Sequence, residues 1–206
     1  MLFDYDYFNF ILSELVGRIA SDQLIIEDAL GQSKTKTKAP RLLKILVKRN
    51  KINIDLLSQL LFISRQIGDF SARTANLVEA IALAESSFQG VTVRIRTDRV
   101  KPLVDVMGEV RAISSIIRII LDIIILEDLH SKDLSIGLRR RGDYVTVRIA
   151  GSKALSTNQF LKDVVDFVDK LIKTYGGSIR FVNYQGQRVV FIRMQLSNQI
   201  PLLYNK

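Results

Sequence analysis

The sequence contains no cysteine, no tryptophan and a single histidine, His130, among its 206 residues. Without cysteine there can be no disulfide, no thiolate metal site and no cysteine nucleophile. One imidazole excludes multi-histidine metal sites and any Ser/His/Asp catalytic set that does not use His130. Because His130 lies in a polar link without identifiable partners, the composition predicts no catalytic residue and no metal.

Long uncharged apolar runs are also absent. The most apolar stretch, residues 113–129, is interrupted by four charged residues, whereas a membrane span needs about 20 nearly uncharged ones. The first six residues include two acids and no basic residue, unlike the basic start of a secretory signal. We therefore expect a soluble, cytoplasmic protein of one or two domains.

Positive charge is concentrated in one segment. The formal net charge is +9, and eight basic residues fall within eighteen positions that contain no acid: Lys34, Lys36, Lys38, Arg41, Lys44, Lys48, Arg49 and Lys51. Such a cluster creates a positive field that could steer nucleic acid, an anionic membrane surface or an acidic protein partner. A solvated loop and helix face is favoured here, because the segment has no aromatic residue to stack on bases. Nucleic-acid binding stays an alternative.

The first seventy residues show helical periodicity alone. Apolar residues at spacings of three, four and seven predict one helix over 7–30 and a second from Pro40 to about Ile67, with a polar loop between them. The apolar stripes are too wide for two helices to bury. We therefore expect a homodimer in which two hairpins form a four-helix bundle.

Beyond residue 70, helices and strands alternate. The pattern predicts helices over 74–88, 108–126 and 158–175, a strand over 91–97, and two β-hairpins, 134–149 and 178–196. Adjacent hairpins imply a largely antiparallel sheet with helices on one face. The predicted fold class is α+β: a helical hairpin (residues 1–70) followed by a two-layer sandwich (residues 71–206). A loose tail is expected from Pro201.

This order of elements resembles the dimerisation and ATP-binding domains of histidine kinases. Residues 60–65, Leu-Leu-Phe-Ile-Ser-Arg, are similar to the end of the second dimerisation helix, and residues 170–179 to the last helix and strand of the ATPase fold. The short chain without a sensor is most similar to the alpha-proteobacterial histidine phosphotransferase family, whose members resemble kinases that lost ATP binding. The resemblance implies two-component phosphorelay signalling with response-regulator receivers as partners.

The phospho-accepting histidine of that family is missing here. Aligned on residues 13–22, which include Ser21, its position falls on Gly17 and that of its acidic neighbour on Arg18. In the register of the kinase-type His-Glu-Leu box it falls on Ser13, followed by Glu14. Phosphorelay needs an imidazole, because a phosphoserine ester is too stable to return its phosphate readily. Neither register supplies one.

The nucleotide site that the resemblance implies is also incomplete. Asp122 stands where the Mg²⁺-binding Asn is expected, and Ala150, followed by Gly151, stands where an Asp should read adenine. Asp122 could still hold Mg²⁺, but an ion pair with Arg118 four residues earlier is favoured. We expect a pseudokinase-like domain without ATP or any other cofactor.

Three functional interpretations follow. The first is a receiver-binding adaptor or modulator that does not relay phosphate, in which Arg18 pairs with the acidic pocket of a receiver. The second is an active phosphotransferase with its acceptor elsewhere in the chain. The third is a polyanion-binding module that uses the basic segment of residues 34–51.

Overall fold

The computed structural model describes residues 5–31, 39–66, 74–86, 92–96, 104–127, 129, 133–151 and 159–197. Its helices are α1 (Tyr5–Gly31), α2 (Ala39–Gln66), α3 (Leu77–Glu85), α4 (Val110–Glu127) and α5 (Gln159–Thr174). Its strands are β1 (Thr74–Asn76), β2 (Thr92–Arg96), β3 (Asp105–Met107), β4 (Asp133–Arg141), β5 (Tyr144–Ala150), β6 (Ser178–Tyr184) and β7 (Gln187–Gln195). His130, Lys34, Lys36, Lys38 and the predicted tail lie outside the described residues.

The N-terminal half is the predicted helical hairpin. Apolar residues spaced three or four apart bring one face of each helix into the interior, where Ile11 and Leu15 of α1 and Leu56 and Leu60 of α2 are fully buried. Both helices end within two residues of their predicted limits, which is the usual uncertainty of a helix boundary. The hairpin prediction is therefore confirmed.

The second half contains a five-stranded sheet in the order β2-β4-β5-β7-β6. β2 runs parallel to β4, and every other pair is antiparallel. Gln185 and Gly186 join β6 to β7 with φ of 50° and 74°, the combination that a two-residue type I′ hairpin turn requires. These features confirm the predicted α+β class.

A two-stranded sheet that the sequence analysis missed lies beside α3. The predicted helix over 74–88 was wrong at its start, because β1 instead pairs antiparallel with β3. The helix begins after Asn76, whose Oδ1 accepts hydrogen bonds from the backbone N–H groups of Val78 and Glu79 at 3.0 and 3.1 Å. A strand of three residues is too short to show a period of two.

Helix α4 is buried on nearly all sides because α2, α3 and α5 pack around it. The inward residues Val145, Val147 and Ile149 of β5 belong to the same hydrophobic cluster as α4 and α5. This position explains the apolar sequence of α4. Within the described ranges, none of the helices combines the length and the apolar character that crossing a bilayer requires.

Helix α5 packs against α1 and so connects the second half of the molecule to the hairpin. The rings of Phe8 and Phe167 stack with their centroids 5.2 Å apart. Nearby, the Tyr7 hydroxyl donates to the backbone carbonyl of Asp163 at 3.0 Å, and the Lys170 ammonium lies 4.5 Å from the centre of the Tyr7 ring. One side of α1 is thereby covered, while the neighbouring side stays open.

Candidate recognition site

The open side of α1 carries all five residues that the family alignment singled out. Ser13, Glu14, Gly17, Arg18 and Ser21 line a shallow cavity of about 280 Å³, together with Phe10. Residues three and four apart lie on the same face of a helix. Ser13 and Gly17, the positions that the two registers single out, therefore lie on one surface. We call this surface the α1 groove.

Gly17 lies in the middle of the α1 groove and is exposed. A Cβ built on Gly17 would have no heavy atom within 4 Å beyond its chain neighbours and the helix backbone. Glycine inside a helix costs about 1 kcal/mol relative to alanine, and nothing in the surrounding packing requires it here. The groove therefore has room for a side chain at residue 17, but the sequence supplies none.

Arg18 is held in place rather than left as a simple exposed charge. Its guanidinium carbon lies 4.4 Å from the centre of the Phe160 ring on α5, a cation–π distance. Its Nε is 3.8 Å from Oε2 of Glu14 and is buried without a hydrogen-bond partner. The side chain is 38% exposed. Arg18 thus has a fixed position and unused hydrogen-bonding capacity.

A second cavity, which sequence reasoning missed, lies behind Arg18. It has a volume of about 320 Å³ and is enclosed by α1, α2, the end of α4 and the start of α5. Its lining residues are Arg18, Ser21, Asp22, Arg49, Asn53, Leu126, Phe160 and Leu161. We call it the inner cavity. No local sequence signal could have identified it, because its walls come from four separate helices.

Asp22 and Arg49 form an ion pair in the wall of the inner cavity. The Asp22 side chain is 4% exposed and accepts hydrogen bonds on both oxygens, from Nε of Arg49 at 2.8 Å and from Nη2. The hydrogen bond from Arg49 to Asp22 raises the pKa of Arg49 above its usual value. This two-pronged geometry fixes the guanidinium. The pair joins α1 to α2 and leaves the other Arg49 N–H groups unused by Asp22.

Asn53 completes the polar wall of the inner cavity. The residue is 4% exposed, and its side chain forms no hydrogen bond with any other residue that the structure describes. A buried carboxamide normally has a hydrogen-bond partner, because an unpaired one costs about 1–3 kcal/mol. Asn53 is therefore an unused polar group at the edge of a space large enough for a ligand.

Asp122 is buried in α4, with 1% of its surface exposed. The predicted ion pair with Arg118 is wrong: Nη2 of Arg118 instead lies 3.6 Å from Oδ1 of Asp55 on α2. Arg118 is the only partly exposed residue among the buried ones around it on α4, which lets it reach Asp55 at the edge of α2. Oδ2 of Asp122 has no hydrogen-bond partner. Burial raises the pKa of Asp122 well above its usual value, and the positive charge of Arg118 partly offsets this.

Ala150 and Gly151, the other two positions that the resemblance assigns to a nucleotide site, are buried at the end of β5. A Cβ built on Gly151 would lie only 2.5 Å from Cγ2 of Ile124, so Ile124 occupies the space beside the strand end. Neither the α1 groove nor the inner cavity is lined by Asp122, Ala150 or Gly151.

The described part of the basic segment is partly engaged inside the protein. Nζ of Lys48 donates to the backbone carbonyl of Leu129 at 2.5 Å, and Arg49 pairs with Asp22. Lys44 and Lys51 are exposed. The side chain of Arg41 lies outside the described residues. Among those that are described, no group of three or more His, Cys, Asp or Glu residues is placed to hold a metal ion.

Comparison with known proteins relates the chain to others by structure alone. No protein-family model matches the sequence, and no curated protein matches it. The Acinetobacter baumannii histidine kinase AdeS is 15% identical with a TM-score of 0.53, covering 90% of this chain and 98% of that one. The histidine kinase ThkA, solved in complex with the response regulator protein TrrA, is 18% identical with a TM-score of 0.52, covering 89% of this chain and 60% of that one. At these identities, the comparisons show that the chain has a fold of the histidine kinase type.

Proposed function

We propose that the protein is a histidine-phosphotransferase-like adaptor that binds the receiver domain of a response regulator through the α1 groove without relaying phosphate. The observation that carries the proposal is the position of Arg18, held against Phe160 at the edge of a groove whose centre is Gly17. In this proposal residues 1–70 form the dimerisation domain. Residues 71–206 form a degenerate ATPase-like domain.

The charge and shape of the α1 groove support a receiver as the partner. A guanidinium offers several N–H donors in a fixed plane and suits carboxylate partners, and the pocket of a receiver is acidic. Gly17 leaves room at the point where a phospho-accepting side chain would stand. The structural likeness to a kinase that was solved with its response regulator adds support. Membership of the alpha-proteobacterial histidine phosphotransferase family is part of the same proposal.

Close packing at the positions that the resemblance assigns to nucleotide supports a proposed loss of nucleotide binding. Ile124 lies against Gly151, and the neighbouring Ala150 has no polar side chain to accept a hydrogen bond from adenine. Asp122 retains a carboxyl group, but burial favours its neutral form, which is a poor ligand for Mg²⁺. These features support a pseudokinase-like role in which recognition replaces catalysis.

A second copy of this chain is the proposed partner of the hairpin. Two stripes of uncharged residues alternate at spacings of four and three: Leu12, Val16, Ile19, Gln23, Ile26 and Leu30 on α1, and Leu43, Val47, Asn50, Ile54, Leu57 and Leu61 on α2. Val16, Leu30, Val47 and Ile54 are each about half exposed. This spacing is typical of helices that pack in coiled coils and four-helix bundles.

An amide pair in the middle of the stripes supports the same dimer. Nδ2 of Asn50 lies 3.5 Å from Oε1 of Gln23, and Oδ1 of Asn50 is buried without a hydrogen-bond partner. A single polar position in an apolar seam fixes the register of helix association. Asn50 and Gln23 are the polar positions of the two stripes.

The receiver proposal is tested by co-purification with the receiver domains of the host. We expect the wild-type chain to retain at least one receiver and Arg18→Glu to lose it, because the reversed charge would face carboxylates. Arg65→Glu is the matched control, since Arg65 is exposed on α2 and lines neither cavity. Failure to retain any receiver, or equal retention by Arg18→Glu, would contradict the proposal.

The active-phosphotransferase alternative is tested by incubation with a phosphorylated receiver and mapping of the phosphate at neutral pH. We expect no label on the wild-type chain. Gly17→His should become labelled, because it places an imidazole in the open α1 groove, whereas Gly17→Ala should not. Label on the wild-type chain, at His130 or in α1, would establish the alternative instead.

A further inference from the structure

The outer face of the five-stranded sheet is basic. Successive residues of a strand point to opposite faces of the sheet, and the face with Val145, Val147 and Ile149 of β5 belongs to the core with α4 and α5. We call the opposite face of β4 to β7 the outer face. Five exposed arginines lie on it: Arg139, Arg141, Arg148, Arg180 and Arg193. Positive charge is therefore gathered on the side of the sheet that points away from the core.

The strand register places aromatic rings among these arginines. Phe191 of β7 lies directly opposite both Arg148 on β5 and Arg180 on β6. Arg141 of β4 lies directly opposite Tyr144 of β5. Side chains that are directly opposite on one face of a sheet have Cβ atoms about 5 Å apart. Guanidinium groups and rings therefore alternate across the outer face within reach of one another.

Tyr144 and Arg193 show that these flat groups stack. The guanidinium carbon of Arg193 lies 3.7 Å from the centre of the Tyr144 ring, which is a cation–π contact. On the edge strand β6, the outer face also carries Tyr184, which is 58% exposed. The outer face thus offers both aromatic and guanidinium planes to a ligand.

No carboxylate pairs with the arginines of the outer face in the part of the chain that the structure describes. β5, β6 and β7 contain no acidic residue. Asp133 is the first residue of β4, and Asp143 lies in the turn that follows β4. The five arginines therefore contribute a charge of about +5, spread over the distance of about 14 Å that separates β4 from β6.

This combination of groups suits a polyanion that also contains flat rings. Guanidinium groups bind phosphates through paired N–H donors, and nucleic-acid bases stack on aromatic rings and on guanidinium planes. Anionic lipid headgroups carry phosphates but no rings. A duplex keeps the faces of its bases inside the helix, so a single strand is the form of nucleic acid that can contact both kinds of group.

We propose that the outer face of the sheet binds single-stranded nucleic acid, with its arginines on the phosphates and with Tyr144, Tyr184 and Phe191 as stacking platforms for bases. This surface is distinct from the basic segment of residues 34–51, whose described part lies on α2. None of the residues of the outer face lines the α1 groove or the inner cavity. The inference therefore stands independently of receiver binding.

Fluorescence anisotropy of the full chain with a labelled single strand of about 15 nucleotides tests the proposal. RNA and DNA of the same sequence should both bind, because phosphates and base faces are common to both. The logarithm of the affinity should fall with the logarithm of the salt concentration with a slope of about −3.5, which is about −0.7 for each of five phosphate contacts. The corresponding DNA duplex should bind at least about tenfold more weakly, because its bases cannot stack on the protein.

Variants separate the contribution of charge from that of stacking. Arg139→Gln/Arg193→Gln should bind at least about tenfold more weakly, and its salt dependence should be shallower by about 1.4. Tyr144→Leu should bind about tenfold more weakly with an unchanged salt dependence, because it removes a ring and no charge. Lys44→Gln/Lys51→Gln is the matched control, since it removes the same charge from exposed residues of the basic segment. The control should bind like the wild-type chain.

The proposal would be overturned by no saturable binding of either single strand, by a duplex bound as tightly as the single strands, or by an equal loss of affinity in the lysine and arginine variants. Thermal unfolding of each variant verifies that it is folded. If the arginine variant does not fold, amide chemical shifts of residues 139, 148, 180 and 193 in the wild-type chain decide the question. They should move on titration with the single strand, and their constancy would contradict the proposal. No receiver is present, so failure here is distinct from failure of the receiver proposal.

Discussion

Asp122 places a carboxyl group inside α4, where one of its oxygens has no hydrogen-bond partner. Burial raises its pKa in the folded chain, so its proton is held more tightly there than in the unfolded chain. At a pH below the pKa of the unfolded chain, Asp122 is protonated in both states. The difference between the two pKa values then has no effect on the free energy of unfolding. As pH rises above about 4, the unfolded state gains by ionising, and the folded state loses stability until its own pKa is reached.

We therefore expect Asp122→Asn to stabilise the protein at pH 7 and to have a much smaller effect near pH 4. The gain should grow with pH by no more than about 1.4 kcal/mol per unit. Urea unfolding of both chains at several pH values between 4 and 7 measures it. A stability difference that does not change with pH would show that Asp122 is ionised in the folded protein.

The residues of the α1 groove could be predicted because they lie on one helix. Ser13, Gly17 and Ser21 repeat at intervals of four, so periodicity alone places them on one face. The partners of those residues could not be predicted. Phe160, which orients Arg18, and Asn53, which faces the inner cavity, belong to other helices, and only the tertiary packing brings them to α1.

At the scale of elements, α3 depends on its cap. It has nine residues, and helices of this length are marginal in isolation. The side chain of Asn76 satisfies two of the N–H groups that the helix start leaves without partners. β1 ends at the same residue, so Asn76 also marks the change from strand to helix.

Replacing the cap should destabilise the protein measurably. We expect Asn76→Ala to lower the free energy of unfolding by about 0.5–2 kcal/mol. Asn76→Ser should lose much less, because serine also accepts hydrogen bonds at this position. Denaturant unfolding of the three proteins makes the comparison, and equal losses for alanine and serine would mean that capping is not the contribution of Asn76.

The long helices could be read from the sequence because their apolar residues repeat over many turns. α1, α2 and α5 therefore fall within two residues of their predicted limits. β1 and β3 have three residues each, and their pairing depends on contacts across the chain rather than on a local pattern. The predicted ion pair between Arg118 and Asp122 was wrong for a related reason. The partner that Arg118 has in the structure, Asp55, lies on a different helix.

At the scale of the whole molecule, the proposed partner of the hairpin is a second copy, which would cover the half-exposed Val16, Leu30, Val47 and Ile54. We expect the wild-type chain to be a dimer in light scattering coupled to size exclusion. Ile54→Glu should shift it to a monomer, because the carboxylate would be buried in the seam without a partner. Leu83→Glu is the control, as Leu83 is a similarly exposed apolar residue on α3. A wild-type monomer at every concentration would refute the dimer.

The attachment of α5 to α1 has a consequence for dissecting the protein. The Phe167 ring stacks on Phe8, and the Phe160 ring lies against the Arg18 guanidinium. Residues of α5 therefore form part of the surface of the hairpin. A fragment that ends near residue 70 would keep every residue of the α1 groove. It would lose the Phe160 ring, which holds the Arg18 guanidinium in position. Binding assays on such a fragment would describe a different surface from the one that the intact chain displays.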